Sequence, residues 1–178
     1  IYSMEGEFCR LREIVALKRK YRAYLYLDEA HSIGAVGPRG RGVTDYLGVP
    51  TSEVDVMMGT FTKSFGSVGG YVAACPQLIA QLKRHAAGYV YAPAMSVPAV
   101  QQALSALEVI MGRNAEAGDL GQRKIAQLRR NSNLFRKGLL EMGCRVLGDI
   151  DSPVIPIMLY HPEKICNFSR ACLRRGLA

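Results

Sequence analysis

Lys63 stands in GTFTKSFGSVGG (Gly59–Gly70), directly after the apolar run Val54–Phe61 and inside a loop of glycine and hydroxyl residues. A lysine ordinarily belongs on a solvated face, so an amine at the tip of a buried strand needs a partner. A second apolar run, Ala23–Leu27, ends at Asp28, and His31 follows three residues later in DEAHSIGA. Parallel α/β sheets bind ligands in the crevice beyond the carboxyl ends of their strands. Two such strand ends would bring a carboxylate, an imidazole and an amine into one crevice.

Those groups suit pyridoxal 5'-phosphate. Its aldehyde needs a lysine to hold it as a Schiff base, and its pyridine nitrogen needs a carboxylate that keeps it protonated. Thr60, Thr62, Ser64 and the amides of Gly66–Gly70 could take the phosphate, and His31 could reach the phenolic oxygen. Each residue alone has a plainer reading: a solvated loop lysine for Lys63, a turn former for Asp28, a structural histidine for His31. The order and placement of all three make the cofactor reading specific. GAVGPRGRG lacks a GK[ST] ending and is not GxGxxG after a strand, so it gives nucleotide binding little support. His85 and His161 have no ligand-like partners and read as structural or surface residues. Glu5 in YSMEG reads as a turn or cap residue, and Tyr89 and Tyr91 as packing residues.

The elements that must position this chemistry alternate. The periodicity predicts a helix over Arg12–Tyr21, strands over Ala23–Leu27, Val54–Phe61 and Gly70–Ala74, and helices over Pro76–His85, Pro98–Met111, Gln122–Met142 and Glu163–Arg175. Four glycines interrupt SIGAVGPRGRGV, and Gly112–Gly121 reads as a polar, flexible hinge or boundary. Ser152–Tyr160 (SPVIPIMLY) reads as a strand that opens on an edge-type proline. Gly176 reads as a helix C-cap, and Leu177–Ala178 as the start of a strand. Apolar strands between helices imply an α/β fold with its sheet covered on both faces.

Composition narrows the function classes. The 178 residues are 49% hydrophobic, as in a globular protein. No run of about 18 apolar residues is present, nor a secretory pattern at the start. The opening residues read as mid-fold, so a fragment is expected. The net charge of +8 comes from three helical patterns, Arg10–Arg22, Arg123–Lys137 and Arg170–Arg175, read as solvated faces. Without interleaved aromatics or a groove-reading motif they argue against nucleic acid. Cys9, Cys75, Cys144, Cys166 and Cys172 form no CxxC pair, so no metal site or disulfide framework is expected, only reduced and mostly buried thiols.

DEAHSIGAVGPRGRG together with MGTFTKSFGSVGGY resembles the α-oxoamine synthases, a branch of the fold-type I pyridoxal-phosphate enzymes. YSMEG and SPVIPIMLY fit the same family in the same order, so the resemblance covers the whole chain. Within it, GTFTKSFG, DEAHSIGA and GRGV are most similar to the catalytic, long-chain-base subunits of eukaryotic serine palmitoyltransferases. The resemblance implies the later part of a large, mostly parallel-sheet domain over 1–112. Residues 113–178 would form a connecting helix and the start of a small C-terminal α+β domain. Lys63 would carry the Schiff base, Asp28 would pair with the pyridine nitrogen, His31 with the phenolic oxygen, and Thr60 and Thr62 with the phosphate. The implied reaction is a decarboxylating condensation of L-serine with palmitoyl-CoA to 3-ketosphinganine. Implied partners are a homologous non-catalytic subunit, or a second copy. The implied location is the endoplasmic reticulum membrane, reached through segments outside these residues, with the catalytic domain facing the cytosol.

Two departures accompany the resemblance. Relatives resemble YATSLSPP where this chain has YAPAMSVP, so Pro93 and Ala94 replace hydroxyl residues that reach the phosphate across a dimer. After Lys63, SVGG places Val68 where small residues are commoner, which would narrow the approach. The family's ring-stacking histidine would lie upstream and its substrate-binding C-terminal part downstream. Two other readings stay open: another α-oxoamine synthase using glycine or alanine with a different acyl-CoA, and a non-catalytic homologue that keeps the fold for dimerisation.

Overall fold

A computed structural model describes residues 1–177. Its elements are α1 (Leu11–Tyr21), β1 (Tyr26–Asp28), α2 (Val43–Leu47), a 3-10 turn (Thr51–Glu53), β2 (Val56–Thr60), β3 (Gly70–Ala74), α3 (Pro76–His85), α4 (Ala87–Val90), α5 (Val97–Ile110), α6 (Leu120–Glu141) and α7 (Pro162–Leu173). The strands form one sheet in the order β1-β2-β3. β1 and β2 run parallel with Tyr26 opposite Val56, and β2 and β3 run antiparallel with Thr60 opposite Gly70. The sheet is therefore mixed within these residues, because nine loop residues turn the chain straight back from β2 into β3.

The core sits under β1. Cys9, Leu11, Val15, Leu27, Val43 and Val54 bury together, so α1, β1 and α2 share one apolar centre. β1 is shorter than the apolar run that announces it. Tyr24 is 91% exposed, and the Leu25 amide bonds the Asp55 carboxylate at 2.7 Å instead of joining the ladder. β2 is half-buried and β3 mostly exposed, so the expected covering of both faces is not supplied by these residues. α1 is not merely a solvated basic face either. Lys18 pairs with Asp55 at 2.7 Å, Arg19 pairs with Glu53, and Arg12 donates to the Leu47 carbonyl, which docks the helix on the segment before β2.

Four expectations are corrected. Ser152–Tyr160 is no strand: only an isolated antiparallel bridge forms, between Val146 and Ile157. Pro153 and Pro156 lack the amide hydrogens a ladder needs. Second, only Cys9 among the five free cysteines is buried, and Cys75 and Cys166 are exposed. Cys75 lies at the start of α3, and α7, which carries Cys166, has no buried residue. Third, Gly112–Gly121, read as a polar hinge or boundary, is not without bonds of its own. Asn114 Oδ1 accepts the amides of Glu116 and Ala117 at 3.0 Å, and a Cβ on Gly121 would lie 2.2 Å from the Val109 carbonyl oxygen. That glycine lets α5 and α6 touch. Fourth, Tyr89 and Tyr91 are 63% and 86% exposed, so they do not pack within this chain. Leu177 is irregular, and Ala178 lies outside the described residues.

α6 organises the segment between it and α7. Asp151 takes Arg129 Nε at 2.7 Å, Asn133 Nδ2 at 2.7 Å and the Tyr46 hydroxyl at 3.1 Å, which ties α2 to α6. Burial alone would raise the Asp151 pKa, but these donors outweigh it and hold the carboxyl below its usual range. Arg136, 6% exposed, spreads its guanidinium over the carbonyls of Leu147, Gly148 and Val154. This fork joins the 147–148 and 154 carbonyls, beside two backbone bonds, Leu147 N to Pro156 O and Met158 N to Arg145 O, both 3.0 Å. Arg136→Ala is therefore expected to lower the denaturation midpoint of the full-length protein, at about 1–3 kcal/mol for each carbonyl left dry. Arg136→Lys should recover only part of it, because a single ammonium lacks the fork.

Candidate active site

β1 and β2 end side by side, and their parallel pairing carries Asp28 and the lysine loop to one edge of the sheet. The β1 alternation buries Leu27 and turns Tyr26 and Asp28 to the opposite face. Beyond Asp28 the chain turns sharply: the Glu29 carbonyl accepts the amides of Ser32 and Ile33 at 3.0 and 2.9 Å. This turn brings His31 back beside Asp28. Asp28 Oδ1 accepts the Ala30 amide at 2.7 Å, and among the described residues no hydrogen bond reaches Oδ2.

The lysine loop is fixed at both ends and along its floor. The Phe61 amide donates to Gly69 O at 2.9 Å and the Ser67 amide to Phe61 O at 2.8 Å. Phe65 is 2% exposed, and its ring meets Phe61 edge-on at 5.3 Å between centroids. α5 adds two clamps: Ser67 Oγ donates to Ala99 O at 2.6 Å and Gln102 Nε2 to Phe65 O at 3.1 Å. Burying Phe65 leaves Lys63 on the outside of the loop, exposed.

A cavity of about 440 Å³ is lined by Asp28, His31 and Lys63, together with Tyr2, Ser3, Cys9 and Tyr26 among others. The structure thus brings together the three residues singled out in the sequence. Burial, and then the positive charge of Lys63, push the His31 pKa below its ordinary value, with Asp28 opposing them. At neutral pH His31 is therefore mainly the neutral imidazole, which accepts at one nitrogen and donates at the other.

Thr60 and Thr62 do not line this cavity. Their hydroxyls lie 2.8 Å apart at the end of β2, and Thr60 Oγ1 is 3.1 Å from Gly69 O. Thr60 instead borders a neighbouring, more apolar cavity with Gly59, Gly70 and Tyr71. Pro93 and Ala94 are exposed and irregular. Val68 is 68% exposed and does not line the cavity of Asp28, His31 and Lys63. His85 and His161 are exposed, as expected for surface residues, and Glu5 is exposed in a turn.

Sequence reasoning missed Tyr26 and Glu29. Tyr26 shares a strand face with Asp28 two residues on, so the period of two could have found it. Glu29 is wholly buried. A charged residue at an inward strand position is the signal that went unused.

The site fits an aldehyde-bearing pyridine cofactor: an exposed amine on a fixed loop, a carboxylate with one oxygen free, and a neutral imidazole beside it. The fold is that of the fold-type I pyridoxal-phosphate transferases. Residues 1–178 match the aminotransferase class I and II family, and the chain belongs to it. Among relatives, it is 61% identical to "Long chain base biosynthesis protein 2c" of Oryza sativa subsp. japonica, covering all of this chain and 35% of that protein. It is 53% identical to "Serine palmitoyltransferase 2" of Dictyostelium discoideum, covering all of this chain and 36% of the relative. The chain thus spans about a third of the length of these relatives. Among solved structures, the Sphingomonas wittichii serine palmitoyltransferase superposes with a TM-score of 0.85 at 31% identity, over 99% of this chain and 42% of that one. A second serine palmitoyltransferase, solved with pyridoxal phosphate, gives 0.86 at 31% identity over 99% and 42%.

Proposed function

We propose that these residues form the pyridoxal-phosphate-binding part of a serine C-palmitoyltransferase catalytic subunit. The reaction joins L-serine to palmitoyl-CoA, with release of CoA and CO2, to give 3-ketosphinganine. The observation that carries the reading is the shared cavity of Asp28, His31 and Lys63 at the ends of two parallel strands. Similarity to long-chain-base proteins over every residue supports the choice of substrates.

When bound, the cofactor supplies an electron sink that stabilises a carbanion at the substrate's Cα. Lys63 Nζ is the attachment point for its aldehyde carbon. When not attached there, Lys63 Nζ would be a base within the cavity for a proton at the substrate's Cα. Asp28 Oδ2 would hold a proton on the pyridine nitrogen, while Oδ1 keeps its bond to the Ala30 amide. His31 would donate to the phenolic oxygen from a neutral ring. Thr60 and Thr62, which the resemblance sets against the phosphate, lie at the end of β2 with their hydroxyls 2.8 Å apart.

Residues 1–112 would belong to the large domain and 113–178 to the connecting helix and the small domain. The reading includes a homologous subunit as partner and attachment to the endoplasmic reticulum membrane through other segments. No helix among the described residues is long and apolar enough to cross a membrane.

The test is product analysis by mass spectrometry on the full-length protein with its partner subunit. Palmitoyl-CoA would be offered with serine, glycine or alanine in parallel. A 3-keto base from serine alone is expected. Product from glycine or alanine in preference would move the assignment to another α-oxoamine synthase. Absence of product from every pair would favour the non-catalytic homologue.

A further inference from the structure

The acidic residue next to Asp28 has no part in the chemistry above, yet it is among the most completely buried side chains in the structure. Glu29 is 0% exposed, and strand alternation sends its side chain away from the cavity that Asp28 lines. One carboxylate oxygen, Oε2, accepts the Val43 amide at 2.9 Å and the Ser32 hydroxyl. The other, Oε1, accepts the Thr44 amide at 3.4 Å. The first two amides of α2 have no partner inside that helix, so the carboxylate satisfies them and complements their dipoles. Gly42 makes the approach possible: a Cβ there would lie 2.4 Å from Oε2.

The backbone of Glu29 is held as firmly. Its amide donates to Met58 O at 2.8 Å, extending the parallel ladder by one residue, and its carbonyl takes the amides of Ser32 and Ile33. Every polar atom of this residue thus fixes the turn that separates Asp28 from His31. A buried carboxylate without such partners would be strongly disfavoured, and a plain core position would be filled by an aliphatic side chain at no such cost.

We propose that Glu29 is a positioning residue for the cofactor site. It clamps the 28–33 turn between β2 and the start of α2, and so sets the distance and angle between the Asp28 carboxylate and the His31 ring. The inference rests on reading the cavity as the pyridoxal-phosphate site. Glutamine at position 29 would keep the shape, but in either orientation its amide nitrogen would face a backbone N–H of α2, Val43 or Thr44.

The experiment uses full-length holoenzyme carrying Glu29→Gln, with Ser32→Ala as a gentler variant that removes one donor from the same carboxylate. Four readouts are taken: borohydride-fixed label on Lys63, the pH titration of the bound cofactor's absorbance, the kcat and KM for serine, and hydrogen exchange over residues 28–34. Glu29→Gln is expected to keep the label and to displace the titration. Its kcat should fall about 10- to 100-fold, the scale of a small misplacement of reacting groups, with KM changed far less. Ser32→Ala should shift the titration in the same direction by less. Hydrogen exchange over residues 28–34 of cofactor-free protein should rise in both. Labelled variants whose titration and kcat match wild type would overturn the inference and leave the site reading intact. A wild-type protein that takes no label on Lys63 would overturn the site reading itself, while unchanged exchange over 28–34 would overturn the clamp separately. Should Glu29→Gln fail to fold, an unaltered titration in Ser32→Ala decides against the proposal.

Discussion

Lys63→Ala in the full-length protein is expected to fold as wild type, lose the borohydride-fixed pyridoxyl label, and drop in turnover by roughly 10²–10⁴-fold or more. The fold should be indifferent to the change because Lys63 is exposed on its loop, and no hydrogen bond among the described residues involves its Nζ. What holds the loop is Phe65, the ladder bonds of Phe61 and Ser67, and the clamps from α5. Exposed substitutions away from such features change stability by about 0.5 kcal/mol at most. Lys63→Arg should fail equally, although it restores the positive charge, since a guanidinium neither adds to an aldehyde nor gives up its proton near neutrality. Peptide mapping after reduction reads the label, and product formation reads the turnover. A labelled peptide elsewhere in the chain, or full activity in Lys63→Ala, would remove this residue from the mechanism.

Asp28→Asn carries the second largest effect. The asparagine oxygen can still accept the Ala30 amide, now 2.7 Å from Oδ1, so the turn into His31 should survive. The negative charge on the far oxygen is lost, and with it the reason for a proton to stay on the pyridine nitrogen. A hydrogen bond to a charged partner is worth about 1.5–3 kcal/mol, so kcat should fall roughly 10- to 150-fold. The label on Lys63 should persist, which separates this variant from Lys63→Ala. Turnover within about twofold of wild type at saturating cofactor would place some other group against the ring, since loss of a charged partner costs more than that.

Much of the local structure was legible from pattern. β3 and α3 match their expected spans, Gly70–Ala74 and Pro76–His85: glycine opens one, and proline sits where the first helical turn needs no amide hydrogen. α6 ends at Glu141 as Gly143 predicts, with a left-handed backbone at φ +78° and the Cys144 amide returned to Leu139 O. Short elements were not legible. α2 and α4 have five and four residues, too few turns for periodicity to register, and α2 exists because Glu29 satisfies its first amides. Ser152–Tyr160 showed the opposite error, because an apolar, β-branched run looks like a strand until its partner and its prolines are counted.

The same division holds for the site. The sequence alone determined which groups are available: an amine, a carboxylate and an imidazole at the ends of apolar runs, in an order that resembles one enzyme family. It determined this because side-chain chemistry and strand ends are local properties. Only the tertiary structure decided that the three line one cavity while Thr60 and Thr62 face each other outside it. Only the fold, too, set Glu29 beneath the turn as its clamp. Those outcomes depend on strand register and on the meeting of segments far apart in the chain, such as Glu29 with Val43 or Phe65 with Gln102, and no local pattern encodes a contact whose partner lies that far along the chain.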